Sequence, residues 1–171
     1  MIEKNNTWRV LEYFFTYPLR ETHLRELSRE MKLSMPAILA AISKLKKEDL
    51  IIIAKTKAWT KVKPNLENEE FKWLKRSNNL ERLYSSGLVK SLSEQFNFHS
   101  LVCFGSYSRG EDLESSDIDL ALTGCSEKSI ELNKFEKSLK RKISLHFVRL
   151  DKVSEEFRAN LYNGIVVKGA L

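Results

Sequence analysis

Six residues within one short stretch are of the types and spacing that do chemistry together. In LVCFGSYSRGEDLESSDIDLAL, residues 101–122, an apolar run stops at Gly105-Ser106, Arg109-Gly110 follows, and Asp117 and Asp119 stand two apart. Gly105 lacks the side chain that would keep the backbone away from a phosphate, and Ser106 offers backbone and hydroxyl donors where an anion is favoured. Arg109 adds a charge-assisted contact to a triphosphate, and Gly110 frees the following loop to fold away. Residues two apart on a strand share a face, so Asp117 and Asp119 point together while Ile118 and Leu120 point into a core. Carboxylates so placed repel unless they share a cation, and a hard divalent ion, Mg²⁺ or Mn²⁺, carried in with a nucleotide suits them.

The elements that must position these residues are readable around them. Ser100–Phe104 has the apolar density of a buried strand, and Leu83, Tyr84, Leu88, Leu92 and Phe96 recur at helical steps before it. After the aspartates, residues 128–141 read as a helix, 143–148 as a third strand and 151–161 as another helix. Asn163-Gly164 then ends that helix before Ile165-Val166-Val167. Alternation along the third strand turns Ile143, Leu145 and Phe147 to the core, and Ser144 and His146 to the face of the aspartates. A histidine there acts as a general base or metal ligand, or is simply hydrogen-bonded.

These motifs resemble the signature of the DNA polymerase β-like nucleotidyltransferase superfamily, especially its small prokaryotic members, the minimal nucleotidyltransferases. The resemblance covers residues 80–171 and implies a mixed sheet flanked by helices. It implies an NTP substrate placed by Gly105, Ser106, Arg109 and Gly110, and a metal held by Asp117 and Asp119. Active members carry a third carboxylate on the strand that here reads Lys142-Ile143-Ser144-Leu145-His146-Phe147, where none is present. His146 is the candidate to stand in for it. Acceptors in the family include toxin proteins, small molecules and RNA.

Residues 1–76 hold 16 Lys/Arg against 10 Asp/Glu, and residues 77–171 hold 13 of each, so the whole net charge of +6 lies in the first half. Clustered cations gain affinity for a polyanion by releasing its counterions, although charge alone also fits a solvated face. Trp8, Leu11, Phe14 and Phe15 mark a first helix, Leu24, Leu27 and Met31 a second starting near Thr22, and Ile38, Ile42 and Leu45 a third capped by Ser34. Ile51-Ile52-Ile53 and the lysines around Trp59 read as a hairpin.

The order of these elements resembles prokaryotic winged helix-turn-helix domains, so the expected whole is α+β. It comprises a winged helix over 1–66, a linker helix and boundary over 67–79, with the break at Ser77-Asn78-Asn79, and the nucleotidyltransferase-like domain over 80–171. DNA or RNA contacts are expected from Ser34, Ser43, Lys44 and Lys47 on the third helix and from Lys55, Lys57, Lys61 and Lys63 on the wing. Lysines also protect edge strands, and the outward face of the third helix has no Arg, Asn or Gln to pair with base edges. A homodimer is compatible with this pattern, and Trp59, Trp73 and Phe98 are candidate interface residues.

No apolar run is long enough to span a bilayer and no export signal opens the chain, so a cytoplasmic protein without membrane association is expected. Cys103 and Cys125 are expected as reduced thiols, and the three histidines show no zinc spacing. Three functions fit: transfer of a nucleoside monophosphate to a hydroxyl of a macromolecule, a DNA-binding regulator with an impaired nucleotide-sensing domain, and a partner that neutralises a toxin by contact.

Overall fold

A computed structural model describes residues 5–56 and 59–171. The chain divides into two compact units, Met1–Lys75 and Arg76–Leu171. Lys57, one of the expected wing contacts, lies outside the described residues. Among the described residues no helix is long and apolar enough to cross a membrane.

In the first unit, α1 (Asn6–Thr16) is capped by Asn5, whose Oδ1 accepts from Trp8 N at 2.9 Å, and buries Val10, Leu11, Phe14 and Phe15. The second helix does not begin at Thr22 as its sequence suggests. Thr22–His23 form a short strand, β1, because Thr22 is buried with its backbone in register with Val62, and α2 (Leu24–Met31) starts after it. Lys32 at φ 52° ends α2, and Ser34 caps α3 (Met35–Lys47), accepting from Ala37 N. Ile38, Ala41, Ile42 and Leu45 face the core, which leaves Ser43, Lys44 and Lys47 exposed, together with Leu39 and Lys46. The hairpin of β2 (Ile51–Lys55) and β3 (Thr60–Pro64) completes an antiparallel sheet in the order β1-β3-β2.

Helix α4 (Glu69–Ser85) runs without interruption through Ser77-Asn78-Asn79, where the sequence reading puts a break. Asn78 and Asn79 are buried, and tertiary partners for Asn79 outweigh the weak helix propensity of asparagine. The interruption comes instead at Gly87, whose φ of 79° suits glycine, and α5 (Leu88–Gln95) follows.

The second unit is built on a four-stranded mixed sheet, order β6-β5-β4-β7, in which only β5 and β6 are parallel. Its strands are β4 (Ser100–Phe104), β5 (Ile118–Thr123), β6 (Ile143–Val148) and β7 (Ile165–Gly169). Three short helices join them: α6 (Gly105–Arg109), α7 (Asn133–Leu139) and α8 (Glu155–Tyr162). The last two are shorter than the apolar spacing suggests: residues 128–132 stay non-helical, and the cap at Ser154 delays α8.

Strand β4 is buried on both faces. On one, Leu101 and Cys103 pack with Leu120, Leu122, Leu88, Leu92, Phe135 and Leu139; on the other, Val102 and Phe104 pack with Ala121, Val148 and Leu161. Burial pushes the Cys103 thiol up to about 12, so it behaves as an inert core side chain. Trp73 is exposed, as its position off the helical stripes suggests, whereas Phe98 packs against the core.

Candidate active site

The register of three neighbouring strands assembles the site. Phe104, the last residue of β4, pairs with Asp119 of β5, and Asp119 pairs with Ser144 of β6. The chain leaving β4 therefore turns beside Asp119. Gly105 makes that turn at φ 70°, and a Cβ there would collide with Asp119 Oδ2. Two requirements, left-handed backbone and absent side volume, thus coincide on one glycine.

Asp117 is exposed and sits just before β5 rather than inside it. Ser144 Oγ donates to Asp117 Oδ2 at 3.0 Å. The His146 Nε2 stands 3.8 Å from Asp119 Oδ1. That nitrogen is shielded from solvent and has no hydrogen-bond partner among the described residues. The imidazole is held between Phe104 and Phe157, with ring centroids 5.4 and 5.8 Å away. Strand alternation thus turns both Ser144 and His146 toward the aspartates. Desolvation holds the Asp119 carboxyl above the usual carboxylate range; His146 opposes this and the charge of Asp117 adds to it.

Ser106 lies half-buried in the first turn of α6, where backbone N–H groups have no partner within the helix. Arg109 ends α6 with its Nε donating to Glu111 Oε2 at 2.7 Å, so its present partner is a carboxylate. Gly110 closes the helix at φ 75°. The structure thus brings Gly105, Asp117, Asp119, Ser144 and His146 together, and turns Arg109 to Glu111.

A second group of residues was missed by sequence reasoning. Asp112, buried in the loop after α6, accepts from Arg141 Nη2 at 3.1 Å and from Asn79 Nδ2 at 2.8 Å. Asn79 Nδ2 also reaches the Tyr107 carbonyl at 3.0 Å. Arg141 is buried as well, so this ionic knot fastens the loop that joins the glycine turn to the aspartates. Its members lie 29 and 33 residues apart in the chain, and only the acid within the loop hints at it.

Among the described residues no group of three or more His, Cys, Asp or Glu side chains forms a ready-made cation cage. The two adjacent carboxylates nonetheless fit a hard divalent ion, which takes oxygen donors. Such an ion takes one or two protein carboxylates and completes its shell with phosphate oxygens and water.

The family model for the nucleotidyltransferase domain matches residues 85–167, which include Gly105, Ser106, Arg109, Asp117, Asp119, Ser144 and His146 but not Asn79. No curated protein matches the chain. Among solved structures, the crystal structure of transcriptional regulator PA4135 resembles it at 13% identity and a TM-score of 0.34, over 54% of this chain and 74% of that one. A likeness so loose carries no argument about fold or function.

Proposed function

We propose that the protein transfers a nucleoside monophosphate from an NTP to a hydroxyl of a macromolecular acceptor. The observation that carries this reading is the Gly105–Asp119 corner, a left-handed backbone turn where an added Cβ would meet Asp119 Oδ2, closed against one of two adjacent carboxylates. The match of residues 85–167 to the nucleotidyltransferase domain supports it.

Asp117 and Asp119 would hold Mg²⁺ or Mn²⁺, which when bound neutralises charge on the triphosphate and the leaving pyrophosphate. The backbone N–H groups of Gly105 and Ser106 and the Ser106 hydroxyl would fix phosphate oxygens. Arg109 would join them by exchanging Glu111 for phosphate. These contacts place the α-phosphate in line with the acceptor, and positioning is most of what phosphoryl transfer asks of a protein. Ser144 orients Asp117 through its hydrogen bond, and His146 Nε2 would accept the proton of the attacking hydroxyl. Phe104 and Phe157 keep the imidazole in place for this step.

The order of elements in the first unit supports a winged helix-turn-helix, with α3 and the β2–β3 hairpin presenting Ser43, Lys44, Lys47, Lys55 and Lys63 to nucleic acid. The exposed positions of these side chains fit that role. Lys61 is half-buried beside Glu21, and the Ser34 hydroxyl is engaged in capping. A protein acceptor such as a toxin would reach the same active site.

One observation favours a second reading. The strand face where active polymerase β-like enzymes carry an acid here offers Ser144 and His146. A nucleic-acid-binding regulator with a slow or silent nucleotide-sensing domain would look the same.

Transfer of α-³²P-labelled ATP, CTP, GTP or UTP to cell RNA or cell protein, with Mg²⁺ or Mn²⁺, separates the two. Label that disappears with Asp119→Asn establishes the enzyme and identifies the acceptor class. No label from folded protein with any nucleotide leaves the regulator.

A further inference from the structure

The first unit contains a cleft of about 590 Å³ between the start of α2, the first residue of α3 and the β2–β3 hairpin. His23, Arg25, Arg29, Met35, Lys55 and Trp59 line it. We propose that this cleft takes an unpaired nucleotide of a single-stranded nucleic acid, with the base against Trp59 and phosphates toward Arg25, Arg29 and Lys55. The proposal rests on the reading that this unit binds nucleic acid, and it specifies the strandedness and the site.

Charge comes first. Arg25, Arg29 and Lys55 are exposed and have no carboxylate partner among the described residues. Glu26, the acid in the lining, is already engaged by Arg20 Nη2 at 3.1 Å and by Thr22 Oγ1 at 3.0 Å, contacts that hold its carboxyl below the usual range. The cleft therefore presents uncompensated cations, the electrostatic complement of a phosphodiester.

The aromatic wall comes second. Trp59 is 40% exposed, more than a core tryptophan would be. Its orientation is set from several sides: His23 meets it edge to face at 6.0 Å, and Lys61 Nζ lies 5.1 Å from the ring centroid. Its backbone N–H donates to Thr56 Oγ1 at 3.2 Å, and its carbonyl accepts from Thr56 N at 2.9 Å. An exposed aromatic face held rigid beside cations is a stacking platform, and stacking tolerates any base.

Strandedness follows from what the neighbouring helix lacks. The outward positions of α3 supply three lysines, Ser43, Pro36, Leu39 and Ala40, and no Arg, Asn or Gln, so the bidentate fork and amide contacts that read a duplex are missing and lysine alone reaches base edges. In a duplex the base faces are buried against each other, so Trp59 has nothing to stack on; an unpaired base offers that face.

The test uses the full chain and fluorescence anisotropy with labelled oligothymidylate and oligouridylate of about 12 nucleotides, within the usual single-strand site size. A mixed-sequence duplex of equal length is measured at the same salt. The expected result is tighter binding of either single strand than of the duplex, and a loss of about tenfold or more in single-strand affinity for Trp59→Ala. Trp59→Phe restores most of that loss, and Arg25→Ala or Arg29→Ala each lowers the salt slope by about 1. A preference between the two single strands also supports the proposal. Tighter duplex binding with Trp59→Ala and Trp59→Phe both neutral overturns it, while nucleic-acid binding itself stands. No binding of any of the three overturns both.

Discussion

The N-terminal cleft and the Gly105–Asp119 corner are both suited to phosphates, and they are built in opposite ways. In the cleft, the charge sits on long side chains, Arg25, Arg29 and Lys55, whose positions tolerate ångströms of error. At the corner, backbone and carboxylates are fixed by strand register, with Phe104, Asp119 and Ser144 side by side. Dispersed cations attract a polyanion from a distance and hold it loosely. Register-bound groups hold one phosphate chain in one geometry. Mutations should therefore act gradually in the first region and abruptly in the second.

The largest effect on chemistry is expected at Asp119. Asp119→Asn should reduce nucleotide incorporation by more than about a hundredfold, since even residues that merely orient metal ligands cost up to that much. The same substitution should leave thermal stability unchanged or slightly raised. Because burial raises its pKa, the folded chain binds the Asp119 proton more tightly than the unfolded chain does, so above that pKa the ionised carboxylate opposes folding. A clear drop in melting temperature at neutral pH would show instead that the carboxylate is structural.

Arg141→Met should have the largest effect on stability, about 3–5 kcal/mol by chemical denaturation, because it removes the guanidinium from a buried ion pair with Asp112. The double change Arg141→Met with Asp112→Leu should recover part of it. If the single variant unfolds like the wild type, the knot contributes nothing.

Gly105→Ala combines a left-handed φ with a collision against Asp119 Oδ2. A loss of stability of about 1–2 kcal/mol is expected, with incorporation lost in protein that still shows native circular dichroism. Retained incorporation would mean that the corner can relax.

The smallest effects should come from single lysines of the basic unit. Lys44→Ala or Lys55→Ala is expected to weaken nucleic-acid binding severalfold and to reduce the salt slope by about 1, with no change in thermal stability. An all-or-none loss from a single lysine would erase the contrast drawn between the two regions.

What was legible in the sequence follows the same division. The turn at Gly105 and its closeness to Asp119 were legible because they depend on short spacing and on strand alternation, both local properties. The same alternation places Ser144 and His146 opposite the aspartates, as found. The Asp112–Arg141–Asn79 knot was illegible because its partners meet only after the sheet and helices have packed. The continuity of α4 was hidden for the same reason: Asn78-Asn79 carries weak helix propensity, and burial of both side chains decides the conformation. The strand at Thr22–His23 was invisible because two residues carry no period, and pairing with β3 alone defines them.

Strand β6 lies at the edge of its sheet and, among the described residues, pairs only with β5, whereas β4, which ends at Phe104 just before Gly105, lies inside with partners on both sides. Substitutions on an interior strand are felt by two neighbours and two packed faces. Those at Ser144 and His146 meet one neighbour and a half-exposed face. The candidate site therefore has a half constrained from two sides and a half bounded on one. Exchanges at Ser144 and His146 on β6 cost the fold less than exchanges at the Gly105–Asp119 corner.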